Sequence, residues 1–473
     1  MDGQSQSSNE CSRCRRLEAE LEAQRAQLKK LQELLDEQQR KRKRQAAPFR
    51  RSKKAEAPPT DAPAQRKKPG RKPGHEPAQR ARPEHVDHTI DVPVARCPDC
   101  GVRLKNKRTF EQFQTDLPPV RPVVTQFNVE VGDCPCCGKR VQGTHPDQTS
   151  QALGAAGNAL GPRALGLAAD LKYRLGIPFR KISDLFGGFF SLPFSPGGMA
   201  QAASRLARRG RPVYEFIKLR LSLASVVHAD ETSWYLNGSA WLHVFTDGTL
   251  VAFVVDPSRS RAVALGVLGE SFDGLVVCDG SPIYDVFRTA RCNAHPLARI
   301  ERLLEADVAG TRGALVELRE LLKSGLSLRE RREELSALGF RRQCTVLRRE
   351  LPHWSERFQD ASDEEVARLA RHLIKYRSEF LRYLDDPKIP ATNNTAEGTL
   401  RFAVPLRKIG CGNRAPSGAR TFETLSSISA TMRRVGVDFL DWVSKLLHVG
   451  HPKLIPAELL PSGCPVQIPF VVR

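Results

Sequence analysis

The chain has 473 residues and a formal net charge of +21, which is too long for one compact core and calls for a polyanionic partner, nucleic acid before an anionic membrane surface. No apolar run is long enough to span a membrane, and no secretory leader is visible at the N-terminus. Several of the twelve cysteines sit in C-x-x-C pairs, so metal binding in a reducing cytoplasm is favoured over a disulfide framework.

Residues 13–44 are expected to form one helix. Leu17, Leu21, Leu28, Leu31 and Leu35 recur at spacings of three and four once Gln24 is counted as a polar seam position, a short coiled-coil pattern that would pair two chains. A solvated helix is the plainer alternative. Cys11 and Cys14 precede it without a second pair nearby and are assigned no site. Residues 40–82 carry sixteen Lys and Arg against Glu56, Asp61 and Glu76. The segment 45–82 reads as a disordered basic arm, because it cannot bury enough apolar surface to fold alone. Its Lys67, Lys68, Arg71 and Lys72 lie among Pro and Gly, which suits sequence-independent phosphate binding.

Residues 83–147 carry the strongest metal signal. Cys97-Pro98-Asp99-Cys100-Gly101 and Cys134-Pro135-Cys136-Cys137-Gly138 are two knuckles separated by 33 residues. Cys97, Cys100, Cys134 and Cys137 could close a tetrahedral, structural zinc site in a zinc-ribbon-like module, with Cys136 as a substitute ligand. The loop between them is strand-like from Val123 to Val131. Residues 155–225 read as three helices. The second starts at Pro178, and the third has a Ser195 N-cap and Pro196 in its first turn. Its Arg205, Arg208 and Arg209 suggest a helix-turn-helix-like DNA-binding domain, although any helical bundle offers this pattern.

From Val226 to Asp256 the chain reads as a three-stranded meander, with turns at Asn237-Gly238 and Asp247-Gly248. Asp230 stands in the first strand, where an acid is disfavoured. A helix is expected over 261–270. A buried strand then ends at Asp279-Gly280, where Asp279 fits either a functional acid or a turn cap. Residues 300–388 are helical and charge-rich. Asn394 and Glu397 fit a capping box.

The order of His228-Ala229-Asp230-Glu231-Thr232, Cys278-Asp279-Gly280, Cys292-Asn293-Ala294-His295 and Asn393-Asn394-Thr395-Ala396-Glu397 with Arg401 resembles the D-D-E transposases, specifically the bacterial insertion-sequence transposases of the family numbered 66. The resemblance implies a multidomain α/β protein whose ribonuclease-H-like catalytic domain spans 226–450, interrupted by a helical insertion at about 300–388 and followed by a tail at 451–473. It implies that Asp230, Asp279 and Glu397 are catalytic and hold two Mg²⁺ or Mn²⁺ ions, as phosphoryl transfer with oxygen ligands requires. His295 is expected to contact phosphate or orient a carboxylate, Asn394 to support the site, and Arg401 to contact DNA. Asp285, Asp385 and Asp386 are the substitutes for the second and third acids. The sequence departs from the family pattern at Asn293, Pro296 and Gly398. The implied function is binding of terminal inverted repeats followed by strand cleavage and strand transfer, in a homo-oligomer assisted by other element-encoded proteins, in the bacterial cytoplasm and on the nucleoid when DNA-bound. The rival reading is a non-catalytic DNA-binding regulator or inactive relic.

Overall fold

A computed structural model describes residues 81–118, 120–154, 159–306 and 310–447, together with Pro456 and Leu459. The coiled-coil helix expected at 13–44, Lys67, Lys68, Arg71 and Lys72 of the arm, and nearly all of the tail from 451 lie outside these residues. The chain divides into two compact units, 1–116 and 117–473, so the division falls inside the module expected at 83–147. In the first unit an isolated bridge joins Arg96 to Arg103 around the first knuckle. In the second unit strands β1 (Val131–Asp133) and β2 (Arg140–Gln142) pair around the second knuckle. The strand expected from Val123 begins only at Val131: residues 120–130 have no strand partner among the described residues, and an unpaired strand is not stable in water.

The centre of the second unit is a five-stranded sheet. Strands β3 (Val226–Tyr235), β4 (Ser239–Thr246) and β5 (Val251–Asp256) form the antiparallel meander. Asn237 and Gly238 both adopt positive φ in the first turn, and Gly248 does so in the second. After β5, a helix over Arg261–Leu268 leads to β6 (Leu275–Cys278) and then β7 (Arg288–Arg291). Both of these run parallel to β3, giving the order β5-β4-β3-β6-β7. This mixed topology is compatible with a ribonuclease-H-like core.

The period-two alternation of β6 separates two hydrophobic layers. Val276 and Cys278 join a cluster with Val227 and Ala229, whereas Leu275 and Val277 join a second cluster formed with the insertion helices. The first cluster receives helix α3 (Pro196–Leu221) through Leu206, Phe216, Ile217 and Leu221. Tyr214 of α3 also donates its hydroxyl to Phe253 O at 2.9 Å. The third expected helix is therefore welded to the sheet, and no break between cores occurs at 225/226. Helices α1 (Pro162–Tyr173) and α2 (Phe179–Phe190) share a smaller cluster with the start of α3 around Ile182, Phe186 and Met199. The Ser195 cap forms as expected, its Oγ accepting from Gly198 N at 3.1 Å.

With the helix over Arg261–Leu268 counted as α4, the insertion comprises α5 (Ala294–Ala306), α6 (Arg312–Glu330), α7 (Ala337–Phe358), α8 (Glu364–Lys375) and α9 (Arg377–Phe380). They enclose Trp354, whose Nε1 donates to Ala314 O. The chain then returns as α10 (Asn394–Leu400), α11 (Ala403–Gly410), α12 (Pro416–Val435) and α13 (Phe439–Leu447). Helix α12 closes the open edge of β5. Val251, Phe253 and Val255 donate their N–H groups to Thr431 Oγ1, Ser427 Oγ and Glu423 Oε1 at 2.9, 2.9 and 2.8 Å. Side chains four apart on a helix rise about 6 Å, close to the ~6.8 Å between alternate strand residues, so one helix face can serve three successive outward N–H groups.

Candidate active site

Register alone brings the first two acids together. His228 of β3 pairs with Val277 of β6, so Asp230 and Asp279 each lie two residues further along parallel neighbours, on the side of the sheet that faces the insertion. Burial first, and then the charge of Asp279, push the Asp230 carboxyl up to about 7. Asp230 Oδ1 accepts from Glu231 N at 2.8 Å, and Asp279 Oδ1 accepts from Ser281 N at 2.8 Å. The turn-cap role expected as an alternative for Asp279 is thus also realised. Among the described residues neither carboxylate has an ion-pair partner.

Glu397 comes from α10, which packs against β3 and β4. Strand β6 pairs with β3 only through His228, leaving the edge of β3 beside Asp230 without a strand neighbour. Asn393 occupies that edge. Its Nδ2 donates to Ala229 O at 2.8 Å and its Oδ1 meets His228 Nδ1 at 3.0 Å. Asn393, fully buried, therefore fixes the start of the helix that carries Glu397 one residue from Asp230. Asn393 is the N-cap residue, and no side-chain cap bond forms, so the expected capping box is absent. Asn394, expected to support the site, is exposed in the first turn of α10.

The loop after Asp279 is held by Arg291, which is 1% exposed. Its guanidinium donates to Asp279 O and Ser281 O, both at 2.8 Å, pairs with Asp285 and Glu379, and lies over the Tyr376 ring. A charge this deeply buried is tolerated only when fully partnered. Gly280 is required here, since a Cβ would come within 2.8 Å of the His372 ring. Asn293 ties the same region to the insertion, its Nδ2 donating to Phe380 O and Ala391 O at 3.0 and 3.1 Å. Sequence reasoning missed Asn393, His228 and Arg291. The available signal for His228 was its position two residues before Asp230, on the same strand face.

The substitute acids are occupied elsewhere. Asp285 binds Arg291, Lys375 and Tyr376, Asp385 pairs with Arg348, and Asp386 accepts from Lys388 N. Glu231 faces away from Asp230, toward Arg259 and the Tyr284 hydroxyl. His295 Nδ1 lies 3.7 Å from Glu397 Oε1. A hydrogen bond with Cys292 pushes its imidazole up to about 9, with Glu397 and Asp279 adding to the shift. Of the expected DNA contacts, Arg205, Arg208, Arg209 and Arg401 are exposed, and Arg209 also caps α13 by donating to Leu446 O and Leu447 O.

Each cysteine knuckle forms its own tight turn. Gly101 N donates to Cys97 O and Gly138 N to Cys134 O, with both glycines at positive φ. Backbone N–H groups of Cys100 and Asp99 lower the Cys97 thiol, and those of Cys137 and Cys136 lower the Cys134 thiol.

A carboxylate pair without an ion-pair partner among the described residues, one member of it largely buried, suits a hard divalent cation with oxygen ligands. Asp230 lies within β3 and Asp279 just past the end of the adjacent parallel strand β6 of this mixed sheet. The chain belongs to the transposase IS66 family, whose family model matches residues 157–421, more than half its length. It is also similar to two proteins of Sinorhizobium fredii, the uncharacterized proteins y4qI and y4jO. Identity to y4qI is 24% over 325 residues, covering 60% of this chain and 58% of the relative. Identity to y4jO is 27% over 97 residues, covering 20% and 30% respectively. The chain thus spans less than two thirds of either relative. Among the described residues, no helix is long and apolar enough to cross a membrane.

Proposed function

We propose that the chain is a D-D-E DNA transposase. Asp230, Asp279 and Glu397 form its catalytic centre and hold Mg²⁺ or Mn²⁺, two ions per site, which would activate the attacking oxygen and stabilise the leaving one. The observation that carries this reading is the parallel register of β3 and β6, which aligns Asp230 with Asp279, while Asn393 anchors the helix of Glu397 to the same strand. Water attacks the phosphodiester at an element end, and the freed 3′-hydroxyl then attacks target DNA at the same centre. With its carboxyl pushed up to about 7, Asp230 is partly protonated at neutral pH, and a cation held beside Asp279 would favour its carboxylate form.

The DNA partner is the terminal inverted repeat. Arg205, Arg208 and Arg401 contact it together with Lys67, Lys68, Arg71 and Lys72 of the arm, giving a salt-sensitive, phosphate-dominated contribution. The helix expected at 13–44 would join chains into the synaptic oligomer that two DNA ends demand. Cys97, Cys100, Cys134 and Cys137 hold a structural zinc. Metal analysis should find about one such ion per chain, and free-thiol titration of all four cysteines would remove this part of the proposal.

The decisive assay uses the full chain, labelled DNA carrying the element's terminal repeats, target DNA and Mg²⁺. Cleaved ends and strand-transfer products are expected, and both disappear with Asp279→Asn or Glu397→Gln. Cleavage that survives those substitutions disproves the assigned centre. Specific binding without cleavage, with synapsis confirmed, favours a DNA-binding regulator.

A further inference from the structure

Cys292 has no assigned task in this catalytic scheme, and His295 has only its expected contact with phosphate or a carboxylate. Cys292 follows β7 and is 1% exposed, and His295 stands at the start of α5. Their ligand atoms and a carboxylate oxygen of Glu397 all lie within 4.8 Å of one another. Cys292 Sγ is 4.0 Å from Glu397 Oε1, and His295 Nδ1 is 3.7 Å from the same oxygen. Around a tetrahedral zinc, with Zn–S about 2.3 Å and Zn–N or Zn–O about 2.0–2.1 Å, such ligand atoms are separated by roughly 3.3–3.6 Å. Both contacts of Glu397 Oε1 therefore stand within about half an ångström of that spacing before any ion arrives.

Two further features suit an ion there. Asn393 N donates to Cys292 Sγ at 3.1 Å, which fixes the sulfur beside Glu397. The His295 side chain is 46% exposed, which leaves an approach for an ion and a fourth position for water. Three protein ligands with one open position is an arrangement zinc accepts. Thiolate and imidazole select a softer cation than the all-oxygen pair Asp230 and Asp279 does. Glu397 is common to both donor sets.

We propose that Cys292, His295 and Glu397 bind a thiophilic divalent cation of the zinc class, and that filling this position draws Glu397 away from Asp230 and Asp279. Binding proceeds with loss of the Cys292 thiol proton and of the proton on His295 Nδ1, so that sulfur and nitrogen each donate a lone pair. Cation binding itself does not depend on the reading of Glu397 as a catalytic ligand. The effect on cleavage does rest on that reading.

The test loads the full-length chain with ¹¹³Cd²⁺ and records its cadmium NMR spectrum. A four-sulfur site resonates far downfield of a site with one sulfur, one nitrogen and oxygen, so the cysteine knuckles and the proposed site are resolved. The expected result is a mixed-ligand resonance that is lost in Cys292→Ser and in His295→Ala while any four-sulfur resonance persists. The absence of a mixed-ligand resonance at saturating cadmium, or its survival in both variants, overturns the proposal. His295→Ala alters an exposed side chain and decides the matter if Cys292→Ser fails to fold. In the second arm Zn²⁺ is added to Mg²⁺-driven cleavage. The wild-type rate should fall at least about tenfold, and that of His295→Ala less than about twofold, each measured against its own Mg²⁺ rate. Equal inhibition of both overturns the sharing of Glu397. A mixed-ligand resonance in a chain that cuts no DNA under any condition leaves the cation site standing and removes the transposase reading instead.

Discussion

Asp230, where β3 passes the end of β6, and Glu423, over the edge of β5, are both pushed up to about 7, in each case first by burial. Their neighbours differ. Glu423 receives the Val255 N–H, and Arg211, Lys218 and Arg420 pull its titration back down. Asp230 has the charge of Asp279 as its second influence, in the same direction as burial. One carboxyl completes the hydrogen bonding of a sheet edge. The other faces a like charge, and His295 offsets it only as the last and smallest of its influences. Burial alone therefore does not distinguish a functional acid from a structural one, and the sign of the next neighbour does.

The comparison breaks most sharply at Asp230 itself. Asp230→Asn is expected to reduce DNA cleavage by at least about a thousandfold, equivalent to roughly 4 kcal/mol of barrier. The same change should leave the metal-free chain as stable as wild type or more so, because it removes a desolvated charge facing Asp279. Cleavage rates and denaturation midpoints on one preparation would test both parts. A clear loss of stability would mean that Asp230 belongs with Glu423 as a structural group.

The meander was legible because Asn-Gly and Asp-Gly fix the turns locally, and the strands between them alternate. Asp230, Asp279 and Glu397 were singled out by the order of their segments, yet the residue that ties the helix of Glu397 to the strand of Asp230 was not. Asn393 and Asn394 are adjacent and identical in chemistry, and only the start of α10 decides which of them turns inward to Ala229 and His228. Arg291 sits in a short basic strand that reads as surface, since its partners Glu379 and Tyr376 lie more than eighty residues away. Helix α3 was misleading for a related reason: an amphipathic basic helix presents the same pattern whether its apolar face meets a small bundle or a sheet. Among the cysteines, the turns around each knuckle follow from local glycines, whereas the contact of Cys292 with Asn393 depends on chain segments a hundred residues apart.

A second contrast concerns pH. The folded carboxyl of Glu423 holds its proton more tightly than it does in the unfolded chain, where it titrates near its ordinary value of 4.5. Between about 4.5 and 7 the unfolded state binds fewer protons, so this group's contribution to stability falls as pH rises and is flat on either side. Measured as the difference between wild type and Glu423→Gln, the fall should be of order 3 kcal/mol at most. A difference that does not change across this window would show Glu423 to be ionised throughout.

Mg²⁺ should act on only one of the two carboxyls. At a concentration about a hundredfold above its dissociation constant it should stabilise the wild-type chain by roughly 2.7 kcal/mol. The gain should vanish in Asp230→Asn and persist in Glu423→Gln. Equal stabilisation of all three proteins would place the cation away from Asp230 and Asp279.

The smallest expected effect separates hydrogen bonding from charge at the β5 edge. Ser427→Ala leaves Phe253 N–H without its acceptor and should cost about 1–3 kcal/mol at any pH from 5 to 8, since no ionisable group is involved. Glu423→Ala leaves Val255 N–H equally bare, but at pH 7 and above it also removes a carboxylate that is costly to bury. Its cost should therefore match that of Ser427→Ala near pH 5 and shrink to about 1 kcal/mol or less at pH 8. Chemical denaturation of both variants at the two pH values gives the comparison directly. If the two costs stay parallel, Arg211, Lys218 and Arg420 already neutralise Glu423, and the contrast with Asp230 is then one between an acid facing cations and an acid facing a like charge first.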